Sequence, residues 1–412
     1  MTTTLSTPLA LPNGAVIPNR IAKAAMEENM ADIGQLPGPA LRALYAAWAR
    51  GGAGLVITGN VMVDGRAMTG PGGVVLERDT PRAPFAAWAR EARASGAQVW
   101  MQINHPGRQV FAAMRGEAWA PSAVALDLGR HSQLFAAPRA MSEAEIAEVV
   151  TRFADTARAA EEAGFTGVQI HAAHGYLISQ FLSPLANRRT DGWGGALANR
   201  ARLLLDVVRA VRAVVSPGFC VAVKLNSADF QRGGFSEDDA RQVLRWLNAL
   251  PVDLVELSGG SYEAPAMQGR SADGRTLARE AYFLEFARSL AAVAAMPVMT
   301  TGGIRRRAVA EQVLAGGVAM VGVATALAAR PDLPAQWLAG RDLDVAVQTV
   351  GWKDKGLVGL ANMALVKRRL RAIAAGRRAP RTYSPLLTLV VDQMRTKGLV
   401  QRYRRWRLGV RS

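Results

Sequence analysis

Cysteine is almost absent from this 412-residue chain, which carries only Cys220. One thiol cannot close an internal disulfide, nor build a cysteine-ligated zinc or iron–sulfur site. Histidine is nearly as scarce, with four residues, so little material remains for metal binding. With no disulfide framework, the cytoplasm is the expected location. Long hydrophobic runs are missing as well. The uncharged apolar stretch at residues 312–329 falls short of the roughly 20 residues that cross a bilayer and contains Gly316-Gly317. It reads as a helix end, a buried strand and the next helix start. Residues 1–13 lack a basic region followed by an apolar run, so no secretory leader is expected.

Acidic residues are few and unevenly spread. The chain carries a net +17, and residues 351–412 hold sixteen Lys and Arg against Asp354 and Asp392, a local net of +14. The preceding part is close to neutral, so the basicity belongs to an appendage. Half of the residues are apolar, enough for a large core.

Apolar runs of strand length alternate with helical stretches, which argues for parallel βα units. Strands are predicted at 21–25, 55–58, 99–103, 167–170, 220–225, 254–257, 298–301 and 320–323. Helices are predicted at 39–50, 81–95, 142–163, 199–215, 236–247, 277–293 and 305–315. Ser142 and Glu145 form a capping-box pattern, and Gly164 stops that helix. Eight strands fit an α/β fold of the (β/α)8 TIM-barrel type, which needs about 250 residues or more. An open doubly wound sheet is the alternative, but its first βα turn needs a glycine-rich fingerprint, and Ala25-Met26-Glu27-Glu28 stands there. The expected division is a barrel over 1–340 and a basic, mainly helical extension over 341–412.

Barrel chemistry gathers where the strands end. The residues there include Met26-Glu27, Gly59-Asn60, Asn104-His105, His171 to Tyr176, Asn226-Ser227, Gly302-Gly303 and Ala324-Thr325. Two long connections, 104–141 and 258–276, are candidate lids or substrate walls. The densest site follows the fourth strand. His171 and His174 can both donate N–H groups to one oxygen, and Tyr176 is a weak acid suited to protonating a carbanion-like centre. A structural histidine pair or a zinc pair are the alternatives, and no third ligand cluster accompanies them.

The segment His171-Ala-Ala-His174-Gly-Tyr176-Leu-Ile-Ser-Gln-Phe-Leu-Ser183-Pro184, followed by Asn187-Arg188-Arg189-Thr190-Asp191, resembles the signature of the old yellow enzyme family. The likeness is to its NADH:flavin oxidoreductase and 2,4-dienoyl-CoA reductase-like branch, and it extends over about residues 11–338. Asn19-Arg20-Ile21 to Met26 resembles the first strand and its flavin-contacting turn, and Gln102-Ile-Asn-His105-Pro-Gly-Arg108 the third-strand motif. The resemblance implies FMN held by Ala25, Met26, Glu27, Asn60, Gln102, Lys224, Gly302, Gly303, Ala324 and Thr325, with NADH or NADPH as hydride donor. It implies that Lys224 lies near flavin N1 and O2, where its charge stabilises the reduced ring. It implies that His171 and His174 grip the activating oxygen of a small activated alkene and that Tyr176 protonates its α-carbon, in ping-pong turnover. No metal is implied. NADH oxidation by oxygen and amine demethylation on the same barrel are the alternatives.

Two positions depart from the family pattern. Glu27 replaces the usual Thr or Cys; it can face the ring ionised, face it protonated, or pair with a Lys or Arg. Ala324-Thr325 replaces a Gly-Arg phosphate clamp, leaving backbone N–H groups, with Arg305 as a substitute. In the extension, residues 357–374 look helical, and Tyr403 and Trp406 lie between arginines. Packing on the barrel or on a partner subunit of a homo-oligomer is the favoured expectation there. Nucleic-acid or membrane contact is the alternative.

Overall fold

The computed structural model describes residues 3–265, 283–378, 380 and 382–409. Eight parallel strands close on themselves: β1 (Ile21–Lys23), β2 (Leu55–Ile57), β3 (Gln98–Asn104), β4 (Gly167–Ala172), β5 (Cys220–Asn226), β6 (Leu254–Ser258), β7 (Val298–Thr300) and β8 (Met320–Val323). Each pairs with the next, and β8 pairs with β1, so the ring of eight has no edge and the fold is a (β/α)8 barrel. The open-sheet alternative is thereby excluded.

Closure sorts the side chains by parity. Val221, Val223 and Leu225 of β5 face outward into the large cluster shared with the helices. Cys220 and Ala222 face inward, with Ile57, Trp100, Leu254, Met299 and Met320. An antiparallel hairpin, Leu9–Ala10 with Val16–Ile17, adds Leu9, Leu11 and Ile17 to that inner cluster and floors the barrel. The lower barrel is therefore apolar, and polar inward residues appear only near the strand ends.

The outer helices are α1 (Pro39–Ala49), α2 (Ala83–Arg93), α3 (Glu143–Glu162), α4 (Leu197–Val214), α5 (Glu237–Leu247), α6 (Leu284–Ala291) and α7 (Arg307–Ala315). Helix α3 opens with the expected capping box: Ser142 Oγ accepts the Glu145 N–H, and the Glu145 carboxylate accepts the Ser142 N–H. Helix α7 starts two residues later than predicted because Arg306 is extended. The predicted helix at 277–293 is described only from residue 283 onward, and the 258–276 connection only up to 265. The 104–141 connection carries local structure, with Trp119–Ala120 pairing with Arg139–Ala140.

Two long helices follow, α8 (Lys355–Ala374) and α9 (Pro385–Arg407). Helix α8 packs against α1 and α9. The end of α9 lies on the loops that follow β1, β2 and β3. Tyr403 is fully buried among Met62, Met68 and Val110, and its hydroxyl donates to the Gly65 carbonyl at 2.9 Å. Arg404 and Arg407 donate to the carbonyls of Ala113 and Arg66, each at 2.8 Å. Arginine side chains here satisfy loop carbonyls. Tyr403→Ala is expected to cost about 3–5 kcal/mol, the range for deleting a buried aromatic, read as a lower urea midpoint. No described helix is long and apolar enough to cross a membrane.

Candidate active site

The strand ends bring the sequence-selected residues to one mouth. His171 is the last inward position of β4, and His174 and Tyr176 follow in the turn. Their rings cluster: His171 lies 5.0 Å from His174 and 4.8 Å from Tyr176, centroid to centroid, both edge-on. His174 takes a left-handed backbone, φ +63°, which disfavours any side chain. Two side chains hold it there. Asn226 Oδ1 accepts the His174 N–H at 3.1 Å, and Gln109 Nε2 donates to its carbonyl at 3.1 Å.

Tautomers follow from the partners. The Ala173 N–H donates to His171 Nδ1 at 3.3 Å, so the proton of neutral His171 resides on Nε2. His174 Nε2 is engaged with Ser258 Oγ at 2.8 Å, leaving Nδ1 for a ligand. Burial pushes both imidazoles well below their ordinary range; His174 and Lys224 add to the effect on His171, and Lys224 to that on His174. The pair is therefore neutral, with the His171 N–H free of internal bonds and His174 Nδ1 open to a ligand. Burial pushes the Tyr176 phenol up, and the neighbouring Tyr262 and Glu27 push it further. Tyr262 was not legible from spacing. Its hydroxyl lies 3.1 Å from that of Tyr176, and it follows β6 just before the undescribed segment.

His105 is also buried, and desolvation holds it down to about 4. These three histidines set an acid limit on stability. An unfolded imidazole titrates near 6.5, whereas the folded ones stay neutral well below that. The unfolded chain then binds more protons, so stability falls as pH drops through about 6.5 towards the folded values, by about 1.4 kcal/mol per pH unit for each histidine. Urea midpoints on the two sides of pH 6.5 check the slope; it vanishes on the alkaline side for these groups.

Beside and beneath the imidazoles lies a buried polar cluster: Gln102 from β3, Gln169 from β4, Lys224 from β5 and Glu256 from β6, each at most 3 % exposed. Lys224 Nζ lies 2.8 Å from Glu256 Oε1. Gln169 and Glu256 share the inward parity of the chosen residues, and that parity was the one available signal for them. Ala25, Met26 and Glu27 are half-buried at the end of β1, with buried residues on either side. Glu27 Oε1 accepts from Asn29 Nδ2 at 3.0 Å and Thr69 Oγ1 at 2.8 Å. These partners are neutral, and no ion pair with Lys or Arg forms among the described residues, so that alternative for Glu27 is corrected. Thr69 also lies 3.5 Å from the amide of Asn60.

Gly302 and Gly303 have φ of +123° and +69°, a conformation that suits glycine. The N–H groups of Gly302, Gly303, Ala324 and Thr325 meet no protein acceptor among the described residues. Arg305 lies 3.8 Å from Asp344, both on the surface. The donor set fits FMN: unclaimed amides for a phosphate at β7 and β8, and an amide and an ammonium at β3 and β5 for a ring edge. No cluster of metal ligands occurs among the described residues.

The model of the NADH:flavin oxidoreductase / NADH oxidase family matches residues 4–344. The chain belongs to that family. An NADH-dependent flavin oxidoreductase of Hypocrea jecorina is 38 % identical over 351 residues, 80 % of this chain and 87 % of the relative. One from Neonectria is 40 % identical over 79 % of this chain but 46 % of its own length, so the chain spans about half of that relative. The old yellow enzyme homologue from Zymomonas mobilis superposes with a TM-score of 0.72 at 25 % identity, covering 84 % of this chain and 95 % of the other. A 2-naphthoyl-CoA reductase complex gives 0.75 at 26 % identity, covering 82 % and 52 %. This family member is thus an oxidoreductase of old yellow enzyme type that uses FMN and a nicotinamide.

Proposed function

We propose that the enzyme reduces a carbon–carbon double bond conjugated to a carbonyl, with NADH or NADPH as the electron source. The observation that carries this reading is the cluster of two neutral imidazoles and a protonated phenol within about 5 Å at the end of β4. FMN held at this mouth would supply the hydride chemistry that links a nicotinamide to an electron-poor alkene carbon.

His171 Nε2–H is a donor left over after internal bonding, and His174 Nδ1–H is a second in the tautomer whose Nε2 accepts from Ser258 Oγ. Aimed at one carbonyl oxygen, they stabilise the negative charge that grows there. Their neutrality matters, because a protonated imidazole would pass its proton to the oxygen. Tyr176 holds its proton firmly and releases it to the α-carbon, where a C–H bond forms as the O–H bond breaks. The Tyr262 hydroxyl is within reach to donate to the phenolate that remains. Gln102, Lys224 and the amides of Gly302, Gly303, Ala324 and Thr325 would bind the cofactor, with Asn60 and the Ala25-Met26-Glu27 turn along its edge.

An anaerobic absorption spectrum taken before and after NAD(P)H tests the reading. A flavin band that bleaches, and returns on adding cyclohexenone, is expected. A bleached band restored by oxygen but not by enones would instead assign NADH oxidation.

A further inference from the structure

The polar layer of the barrel is a directed hydrogen-bond file. Gln102 Nε2 donates to Gln169 Oε1 at 2.7 Å, and Gln169 Nε2 donates to Glu256 Oε2 at 2.8 Å. The other carboxylate oxygen faces Lys224 Nζ at 2.8 Å. The register builds this file, since Gln102 pairs with Gln169 across β3 and β4, and Lys224 with Glu256 across β5 and β6.

A glutamine amide can turn either way, but a carboxylate between an ammonium and an amide can only accept. Glu256 therefore draws the NH2 end of Gln169 towards itself. That leaves the Gln169 carbonyl for Gln102, which must answer with its own NH2. The Gln102 carbonyl is then turned from the file, and no described side chain donates to it. One buried carboxylate thus fixes the polarity of two amides in series. It also nearly cancels the charge of Lys224, since the pair is in contact and shut off from water.

We infer that Glu256 is the positioning residue of the cofactor platform, fixing which end of Gln102 meets the pyrimidine edge and how much charge Lys224 presents to it. This rests on the FMN-binding reading above. A lone lysine beside a ring that gains negative charge on reduction would raise its potential; the pair holds it low and keeps the reduced cofactor a strong donor. Lys224 alone is therefore an incomplete description of the electrostatics at this edge.

The test uses the full chain loaded with FMN, with Kd read from flavin fluorescence and the potential from dye-coupled photoreduction. Glu256→Gln is expected to raise the reduced-to-oxidised ratio at fixed poise about tenfold, which is about 30 mV for a two-electron couple. It is also expected to weaken FMN binding about tenfold, the equivalent of one misdirected hydrogen bond. Gln169→Leu keeps the ion pair and breaks the file, so Kd rises by a similar factor while the potential stays put. A Glu256→Gln protein with wild-type Kd and potential overturns the inference. If that variant does not fold, a wild-type Kd in Gln169→Leu overturns it. Wild-type protein that takes up no FMN sinks the cofactor reading itself, a result obtained before any variant is made.

Discussion

Tyr176→Phe slows enone reduction by roughly 10²–10⁴-fold, the range for loss of a positioned general acid, while NADH bleaches the flavin at nearly the wild-type rate. The asymmetry follows from where the phenol sits. It is buried against His171, its proton is held well above the ordinary phenol range, and its hydroxyl lies 3.1 Å from that of Tyr262. Nothing in that position assists arrival of hydride from a nicotinamide, which needs no proton. Stopped-flow measurement of the two half-reactions separates them. Equal losses in both would remove Tyr176 from the proton-donating role. Tyr262 offers a second phenol 3.1 Å away, so Tyr176→Phe with Tyr262→Phe should fall below either single variant.

His171→Ala is expected to lower enone turnover by roughly 10²–10³-fold, the usual loss for one donor at a developing oxyanion. Phenol or enone binding, read as a perturbation of the flavin band, should weaken in parallel. His171→Gln restores part of this, because its amide can place an N–H near the lost Nε2–H, whereas His171→Phe fills the space without a donor and does not. Equal rates for the Gln and Phe variants would show that the imidazole acts through packing alone. His174 answers differently. Its backbone is held at φ +63° and its ring is tied to Ser258, so His174→Gly relieves the backbone while removing the donor. A stability gain accompanied by lost turnover is the expected pattern there.

The barrel was legible because alternation of apolar runs is a local property. All eight strands lie where composition puts them, with ends shifted by one or two residues where pairing continues or a dihedral breaks. Gln98 and Asn104 extend β3 past its apolar run because Leu55 of β2 and Met62 of the short strand Val61–Met62 supply partners. The site was legible in part. His171, His174 and Tyr176 are close in sequence, so one turn gathers them. Gln169, Glu256 and Tyr262 were missed because their partners lie 67, 87 and 86 residues away. Glu27 stayed ambiguous because its neutral partners, Asn29 and Thr69, include one from the loop after β2. The tail aromatics were equally open: Tyr403 among arginines suits a nucleic acid or a membrane as well as a protein surface. The hydroxyl bond to Gly65, 338 residues away, is with the barrel's own loop.

By itself the sequence determined the strand and helix order, the apolar-floor-to-polar-mouth sequence along each strand, and the imidazole–phenol turn after β4. These depend on neighbours within a few residues, where periodicity and steric preference act. Closure and register decided the rest: which carboxylate stands opposite Lys224, which way two amides point, which imidazole nitrogen keeps its proton, and where the basic helix comes to lie. Those outcomes depend on contacts between distant segments, and hydrogen-bond direction is set only once donor and acceptor are buried face to face.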